Sequence, residues 1–329
     1  MNWGVRGKGC IPLLLIFATP ALFAFQLTEV DNPPTLAMRT RPAPVPDRQP
    51  APLVRVDSSL VLVPVHVTNA VGATVTGIPR ERFRLLEDNA EQTIASFFTE
   101  DAPVSIGLLF DASGSMRPKM RKAAEAAAAF FRAANPADEF FLVEFNDRAR
   151  LMIPFTQNAE EVYAQIARTR PAGRTSLIDA VYLATAQMKK ARNPRKALVI
   201  VSDGGDNWSR HSVREVRNAL LESDVQMYAM GIFDFDFTRT HSLEERNGPA
   251  LLEELAVLTG GQEYPVDELD RLPEISERIS REIHSQYLLG YYPTNAARDG
   301  KYRQVKVVLD LPDARQMHTS YRRGYYAPE

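Results

Sequence analysis

The chain has 329 residues, of which 45% are hydrophobic and 24% are charged. A chain of this length is expected to form about two domains and can bury a core without disulfide bonds. The formal net charge of −2 excludes the strongly basic composition that is typical of proteins binding nucleic acids or anionic membrane surfaces. We therefore expect a globular protein whose partners are neither nucleic acids nor lipid surfaces.

The N-terminal segment, residues 1–24, has the pattern of an export signal. Arg6 and Lys8 give it a positively charged start, and residues 11–24 are apolar but too short to span a bilayer comfortably. We expect a cleaved signal peptide, with an uncleaved membrane anchor or a buried N-terminal element as the alternatives, and no other membrane span. The protein is thus predicted to be exported and to be either periplasmic or secreted. The one cysteine, Cys10, lies in this segment, so the mature chain would hold no disulfide and no cysteine-ligated metal.

Two segments lead from this signal to the middle of the chain. Residues 25–54 are rich in proline, which favours an extended polyproline conformation and opposes a packed core, so we interpret them as a linker. Residues 55–102 begin with alternating valines, which is the periodicity of a β-strand with one buried face. Further short strand patterns follow, and the whole of this second segment is predicted to be β.

Strand and helix patterns alternate across residues 103–285. The apolar run at residues 197–202 is continuous, as is typical of a parallel strand buried on both faces, and residues 105–110 form a further short apolar strand pattern. The Asn146-Asp147 pair is a turn signal between two strand patterns, which predicts a hairpin and hence one antiparallel strand at the sheet edge. The predicted fold is α/β, with a doubly wound, mostly parallel sheet that has one antiparallel edge strand.

Strand patterns return in residues 286–329, where Asp299-Gly300 is a hairpin turn signal. Neither this C-terminal segment nor residues 55–102 is large enough to form an independent sandwich. We therefore predict that the two segments pair into one β-sandwich, into which the α/β domain is inserted. The alternative is a pair of independent β extensions.

Oxygen-bearing side chains occupy three predicted loops at the same edge of the sheet. Asp111 ends the first apolar strand and is followed by hydroxyls at alternate positions, Ser113 and Ser115. Thr175 precedes a predicted helix, and Asp203 follows the most apolar strand. Loops at the carboxyl ends of the strands lie near one another, and carboxylate and hydroxyl oxygens suit a hard cation such as Mg²⁺. Each residue also has a simpler interpretation, because serines often cap helices and an aspartate before glycines often belongs to a turn.

The sequence Asp111-Ala-Ser113-Gly-Ser115, with Thr175 and Asp203 downstream, resembles the metal-ion-dependent adhesion site (MIDAS) of von Willebrand factor A (VWA) domains. The order of strands and helices is similar as well, which implies a Rossmann-like VWA fold. The flanking β segments resemble those of bacterial VWA-related proteins. The Asp-x-Ser-x-Ser motif alone is a weak signal. It becomes a specific signal because an apolar strand precedes it and because the loops with Thr175 and Asp203 follow in the right order.

The resemblance implies a role for each of the five residues. Ser113 and Ser115 would bind the metal through their hydroxyls, and Asp111 would reach it directly or through water. Thr175 would bind directly in a high-affinity state and through water otherwise, whereas Asp203 would usually act through water. The implied ion is Mg²⁺, with Mn²⁺ and Ca²⁺ as alternatives. An Asp or Glu of a protein partner would complete the coordination, so the implied function is metal-dependent protein binding in adhesion or assembly.

Two alternatives to this function stay open. The metal site could merely stabilise the loops of a structural or assembly protein. A metal-dependent phosphatase would instead need a second acidic residue as general acid two positions after Asp111, where the chain has Ser113. Ser113 is not part of a Gly-x-Ser-x-Gly motif, and the histidines show no metal-binding spacing, so we predict no enzymatic activity. With at most two carboxylates, one of which is expected to act through water, a divalent ion stays incompletely neutralised, which favours an external carboxylate.

Four further aspartates lie in or near these loops. The role of Asp206 is left open: it is either a turn residue or a residue that supports the metal site. Asp179 is expected to order its own helix. Asp234 and Asp236 follow a strand pattern and are interpreted as parts of a solvated loop, with a position at the same edge of the sheet as the alternative.

Overall fold

The computed structural model describes four stretches of the chain, namely residues 60–99, 102–203, 205–232 and 247–328. The predicted signal peptide (1–24) and proline-rich linker (25–54) lie outside the described residues, as do Asp234 and Asp236. Within the described stretches, no helix is both long enough and apolar enough to cross a membrane.

Strands and helices alternate in the middle of the chain, whereas both ends of the described chain are β. The strands are β1 (Val61–Asn69), β2 (Phe83–Glu87), β3 (Ala90–Gln92), β4 (Ile94–Phe98), β5 (Val104–Asp111), β6 (Glu139–Phe145), β7 (Ala149–Thr156), β8 (Arg195–Ser202), β9 (Gln226–Ile232), β10 (Glu263–Val266), β11 (Tyr287–Tyr291), β12 (Tyr302–Leu309), β13 (Met317–Tyr321) and β14 (Gly324–Tyr326). The helices are α1 (Met120–Arg132), α2 (Ala159–Ile166), α3 (Leu177–Met188), α4 (Val213–Glu222), α5 (Gly248–Thr259) and α6 (Leu272–His284).

The central sheet has the strand order β10–β9–β8–β5–β6–β7. All neighbouring pairs are parallel except β6 and β7, which form the antiparallel hairpin predicted around Asn146-Asp147. The α/β fold with a mostly parallel sheet and one antiparallel edge strand is therefore confirmed. Gly107 lets the central strands pack closely, because a Cβ there would lie 2.2 Å from Phe141 and 2.6 Å from Leu198.

Helices cover both faces of this sheet, and the side chains of β5 alternate between the two faces. Ile106 and Leu108 pack with α1, α2 and α6, whereas Leu109 packs with α3, α4 and α5. The Ala-rich helix α1 lies close to α6, where the hydroxyl of Ser276 donates a hydrogen bond to the carbonyl of Ala126 at 2.7 Å. Burial of each leucine or isoleucine side chain stabilises the fold by roughly 1.5–3 kcal/mol. Packing on both faces therefore holds β5 in place, and with it Asp111 at the end of the strand.

Strands from both ends of the chain pair in two antiparallel four-stranded sheets. β1 lies between β11 and β13, and β12 lies beside β2. The two sheets share one core, to which the N-terminal segment contributes Val65 and Leu85 and the C-terminal segment contributes Leu289 and Val305. The flanks therefore fold together as one β-sandwich. The exact boundaries between the segments stay predictions.

The chain passes twice between the β-sandwich and the α/β domain, and Arg195 at the start of β8 contacts both crossings. Its guanidinium donates hydrogen bonds to the carbonyls of Thr99, His284 and Gln286 at 3.1, 3.3 and 2.9 Å. A neighbouring contact joins Nε2 of His284 to Oδ2 of Asp138 at 2.8 Å. Arg195 and Asp138 are both buried, so these contacts fix the α/β domain against the sandwich without competition from solvent.

Candidate metal centre

Asp111 ends the buried strand β5 and is itself fully buried. Its Oδ1 accepts a hydrogen bond from the backbone N–H of Ser113 at 2.8 Å, and its Oδ2 accepts one from the hydroxyl of Ser202 at 2.6 Å. Burial, together with the charge of Asp203, raises the pKa of Asp111 to about 7, although the hydrogen bonds from Ser113 and Ser202 act in the opposite direction. A bound cation would stabilise the ionised form of such a carboxylate.

Ser113 and Ser115 present their hydroxyls to each other, with the two Oγ atoms 3.1 Å apart. Ser113 is buried, whereas Ser115 is exposed to solvent. The short 3₁₀ turn that begins after Ser113 has no side-chain cap, and neither has α1, which begins only at Met120. The structure therefore gives no support to the interpretation of these serines as helix caps.

Thr175 is buried just before helix α3, and both its backbone N–H and its carbonyl form hydrogen bonds. Its N–H donates to Oδ1 of Asn207 at 3.0 Å. Its carbonyl accepts from the N–H groups of Asn207 and Trp208 at 3.1 and 3.0 Å. The loop after β8 thereby fixes the loop before α3, a role of Asn207 and Trp208 that no sequence pattern indicated.

The loop after β5 is joined to the loop before α3 by two backbone hydrogen bonds. The N–H of Ala172 donates to the carbonyl of Ala112 at 2.9 Å. The N–H of Gly114 donates to the carbonyl of Gly173 at 3.0 Å. Gly173 has a φ of +86°, and a Cβ there would lie 2.6 Å from the carboxylate of Asp147, so both the backbone and the space require glycine. All three loops thus form one hydrogen-bonded edge.

Asp203 follows β8, and its carboxylate is paired with a lysine that sequence reasoning missed. Oδ2 of Asp203 accepts a hydrogen bond from Nζ of Lys119 at 3.3 Å, and both side chains are nearly buried. The same Nζ donates to the carbonyl of Ile232 at 3.2 Å. A lysine next to an Ala-rich helix is ordinarily solvated, so the local sequence gave no signal for this pairing.

The neighbouring aspartates Asp206 and Asp179 hold backbone in place. Oδ1 of Asp206 accepts from the N–H of Ile178 in the first turn of α3 at 3.2 Å, and burial raises the pKa of Asp206. Oδ1 of Asp179 accepts from the N–H groups of Arg210 and His211, both at 3.0 Å. Asp179 therefore orders the loop before α4 instead of its own helix, which differs from the expectation.

The structure places the five predicted ligands on three loops that are hydrogen-bonded to one another. These ligands are Asp111, Ser113, Ser115, Thr175 and Asp203. No three side chains of His, Cys, Asp or Glu cluster as a metal site within the described stretches. A cation at this edge would therefore rely on hydroxyl as well as carboxylate oxygens, a donor set that suits Mg²⁺. Metal binding by these residues stays a prediction.

The fold and this edge define a doubly wound α/β domain with an oxygen-only candidate metal centre. Residues 106–205 match a family model described as von Willebrand factor type A domain. The match contains all five predicted ligands, and it supports the resemblance of residues 106–205 to a VWA domain. No curated protein matches the chain.

Several solved structures are similar to this chain at low sequence identity. The PilB minor pilin from Streptococcus sanguinis is 13% identical, with 56% of this chain and 62% of that chain covered and a TM-score of 0.45. A von Willebrand factor type A protein from Catenulispora acidiphila is 12% identical, with 83% and 74% covered and a TM-score of 0.49. Proximal thread matrix protein 1 from the mussel byssus, with a zinc-occupied MIDAS motif, is 18% identical, with 60% and 49% covered and a TM-score of 0.45. The chain thus spans less than two thirds of the pilin and of the byssus protein. At these sequence identities and TM-scores, the three structures carry no information about the function of this chain.

Proposed function

We propose that this chain is an exported protein-binding module for adhesion or assembly, which binds an Asp or Glu of its partner through a divalent cation. The residues that would hold the ion are Asp111, Ser113, Ser115, Thr175 and Asp203. The proposed ion is Mg²⁺, with Mn²⁺ or Ca²⁺ as alternatives. The observation that carries the proposal is the burial of two carboxylates, Asp111 and Asp203, on hydrogen-bonded loops that also present paired hydroxyls. Export is supported by the sequence of residues 1–24 alone.

The charge of the site favours a carboxylate as the external ligand. Asp111 and Asp203 carry at most two negative charges, and Lys119 already donates to one oxygen of Asp203. A divalent ion among these groups would therefore retain a positive field, which attracts an anion. Mg²⁺ also keeps several water ligands that a carboxylate can replace. Because Ser115 is exposed, a partner can approach the site from solvent.

The same residues favour binding over catalysis. A phosphatase that used Asp111 would need an acid two residues later. That position is Ser113, whose hydroxyl lies 3.1 Å from the hydroxyl of Ser115. The nearby His211 is engaged through Nδ1 with Asp179 at 2.8 Å. We therefore propose that the chain is not an enzyme.

The test is capture of envelope proteins by the immobilised mature chain, in Mg²⁺ and in EDTA, with wild type and Asp111→Asn. The isosteric variant keeps the shape of the side chain and lowers its charge, and circular dichroism checks that it folds. We expect a defined set of proteins to be captured in Mg²⁺, lost in EDTA and recovered when Mg²⁺ is restored. Asp111→Asn should capture none of them in either condition.

Two results would select the alternatives. Capture that is equal in Mg²⁺ and EDTA, combined with a higher melting temperature in Mg²⁺, would mean that the ion only stabilises the loops. Mg²⁺-dependent hydrolysis of p-nitrophenyl phosphate by wild type, lost in Asp111→Asn, would mean that the site is catalytic.

A further inference from the structure

Three exposed arginines, Arg148, Arg174 and Arg210, lie on the loops beside the candidate metal centre. Arg174 directly precedes the predicted ligand Thr175. In the part of the chain that the structure describes, none of the three guanidinium groups forms an ion pair with a carboxylate. Exposed arginines elsewhere in the chain, such as Arg217, do form such pairs. These three positive charges are therefore available to a partner.

The three arginines belong to one continuous surface. Arg148 and Arg210 line the same open cleft of about 350 Å³ on the α3 side of the domain. Arg174 is joined to this cleft because its N–H donates to Oδ1 of Asp147, the residue before Arg148, at 2.8 Å. Its guanidinium also lies 3.9 Å from the ring centroid of Trp208, two residues before Arg210. We call Arg148, Arg174, Arg210 and Trp208 the arginine surface.

The arginine surface is held in place by backbone contacts of the metal-site loops. Trp208 is half exposed, yet its N–H donates to the carbonyl of Thr175 at 3.0 Å. The stacked ring in turn restricts the Arg174 guanidinium through a cation–π contact. A pre-organised side chain loses less conformational entropy when a partner binds, and exposed Trp and Arg side chains dominate the energetics of many protein interfaces.

The carboxylates of Asp147 and Asp179 form no ion pair with these arginines and accept hydrogen bonds from backbone groups. Asp147 accepts from the N–H of Arg174 at 2.8 Å. Asp179 accepts from the N–H groups of Arg210 and His211 and contacts Nδ1 of His211. The surface thus presents to solvent three guanidinium groups without ion-pair partners among the described residues, on a chain whose formal net charge is −2.

We propose that the arginine surface binds acidic residues that flank the metal-bound carboxylate, so that the partner presents an acidic segment with two or more Asp or Glu residues. This inference rests on the proposed function, since it takes the metal-bound carboxylate as given. Arg148, Arg174 and Arg210 each offer a planar fork of donors that matches a carboxylate. Such contacts would add specificity and accelerate association with acidic partners.

The test is selection from a random peptide library displayed on phage, with the mature chain immobilised in Mg²⁺. Wild type should enrich peptides with at least two acidic residues. The variant Arg148→Gln/Arg174→Gln/Arg210→Gln should enrich peptides with a single acidic residue, and it should bind the peptides selected by wild type about tenfold more weakly. Added salt should weaken wild type more than the variant, because guanidinium–carboxylate contacts are screened.

The matched control is Arg82→Gln/Arg315→Gln/Arg323→Gln, which removes the same charge from exposed positions of the β-sandwich. It should select the same peptides as wild type. If selection depends on Mg²⁺ but the first variant and wild type enrich peptides with the same number of acidic residues, the inference is wrong and the proposed function stands. If acidic peptides are enriched equally in EDTA, the proposed function is wrong. Failure of wild type to enrich acidic peptides in Mg²⁺ contradicts the inference.

Discussion

The ammonium nitrogen of Lys119 lies 3.3 Å from Oδ2 of Asp203, and the two side chains are only 5% and 7% exposed. A nearly buried carboxylate at the candidate metal centre is thus neutralised by a cation that belongs to the chain itself. Burial of one unpaired charge costs several kcal/mol. Lys119 therefore stabilises Asp203 in the metal-free protein.

The variant Lys119→Met should make the fold depend on Mg²⁺. Without metal, the buried Asp203 would lose its partner, and we expect unfolding to become easier by about 3–5 kcal/mol. Mg²⁺ would restore part of this loss, because a ligand that binds only the folded state stabilises it. Thermal unfolding should show a larger Mg²⁺-induced rise in melting temperature than in wild type. The exposed Lys189→Met is the control, and an equal or smaller rise in Lys119→Met would contradict the pairing.

Gly173→Ala should disturb the metal-site loops. Its φ of +86° and the 2.6 Å approach to Asp147 exclude a Cβ, and its carbonyl accepts from Gly114 in the loop after β5. We expect a loss of about 1–3 kcal/mol in stability and weaker Mg²⁺ binding. Gly77→Ala is the matched control, because it has a φ of +76° with no atom within 4 Å of a Cβ. The idea fails if Mg²⁺ affinity, measured by calorimetry, falls equally in both variants.

Arg195→Met should weaken the connection between the β-sandwich and the α/β domain. The variant removes the hydrogen bonds to the carbonyls of Thr99, His284 and Gln286. Buried carbonyls without donors are costly, so we expect the free energy of unfolding in urea to fall by about 3 kcal/mol. The exposed neighbour variant Arg192→Met should change it by less than about 0.5 kcal/mol. Equal effects of the two variants would argue against the proposed role of Arg195.

The stability contributed by His284 should decrease as the pH rises. Burial lowers the pKa of His284, but the hydrogen bond and charge of Asp138 and the carbonyl of Ser280 outweigh burial and the charge of Arg195, so its pKa is raised. The contribution of protonated His284 is fully present below the pKa of the unfolded chain and is lost as the pH rises through the higher folded pKa.

His284→Gln should therefore lower the free energy of unfolding more at pH 5.5 than at pH 8.5. Urea unfolding of wild type and variant at both pH values measures this difference. The exposed His318→Gln serves as control and should have the same small effect at both. A larger effect of His284→Gln at the higher pH would show that the sign is wrong.

The fold and the main site residues follow from local sequence signals. Continuous apolar runs predict the parallel strands, Asn146-Asp147 predicts the hairpin, and both appear in the central sheet. Asp111 could be placed at the sheet edge because it directly follows an apolar run, and the strand that contains this run is buried along its full length. These features depend on neighbours in the sequence, which is why pattern reasoning reaches them.

The supporting contacts depend on residues that are distant in the sequence. Lys119 and Asp203 are 84 positions apart, and Arg195 and Gln286 are 91 apart. Asn207 holds Thr175 through a side-chain oxygen, yet as a loop residue it has many possible roles. Such residues become functional only through the assembled fold, so no local pattern separates them from solvated side chains.

The most direct test of the central claim is isothermal titration of Mg²⁺ into the mature chain, with Asp111→Asn and the exposed Asp313→Asn as variant and control. We expect wild type and Asp313→Asn to bind one Mg²⁺ per chain with equal affinity. Asp111→Asn should bind at least about tenfold more weakly. Binding that is equal in all three proteins, or no binding to wild type, would contradict a metal centre at Asp111.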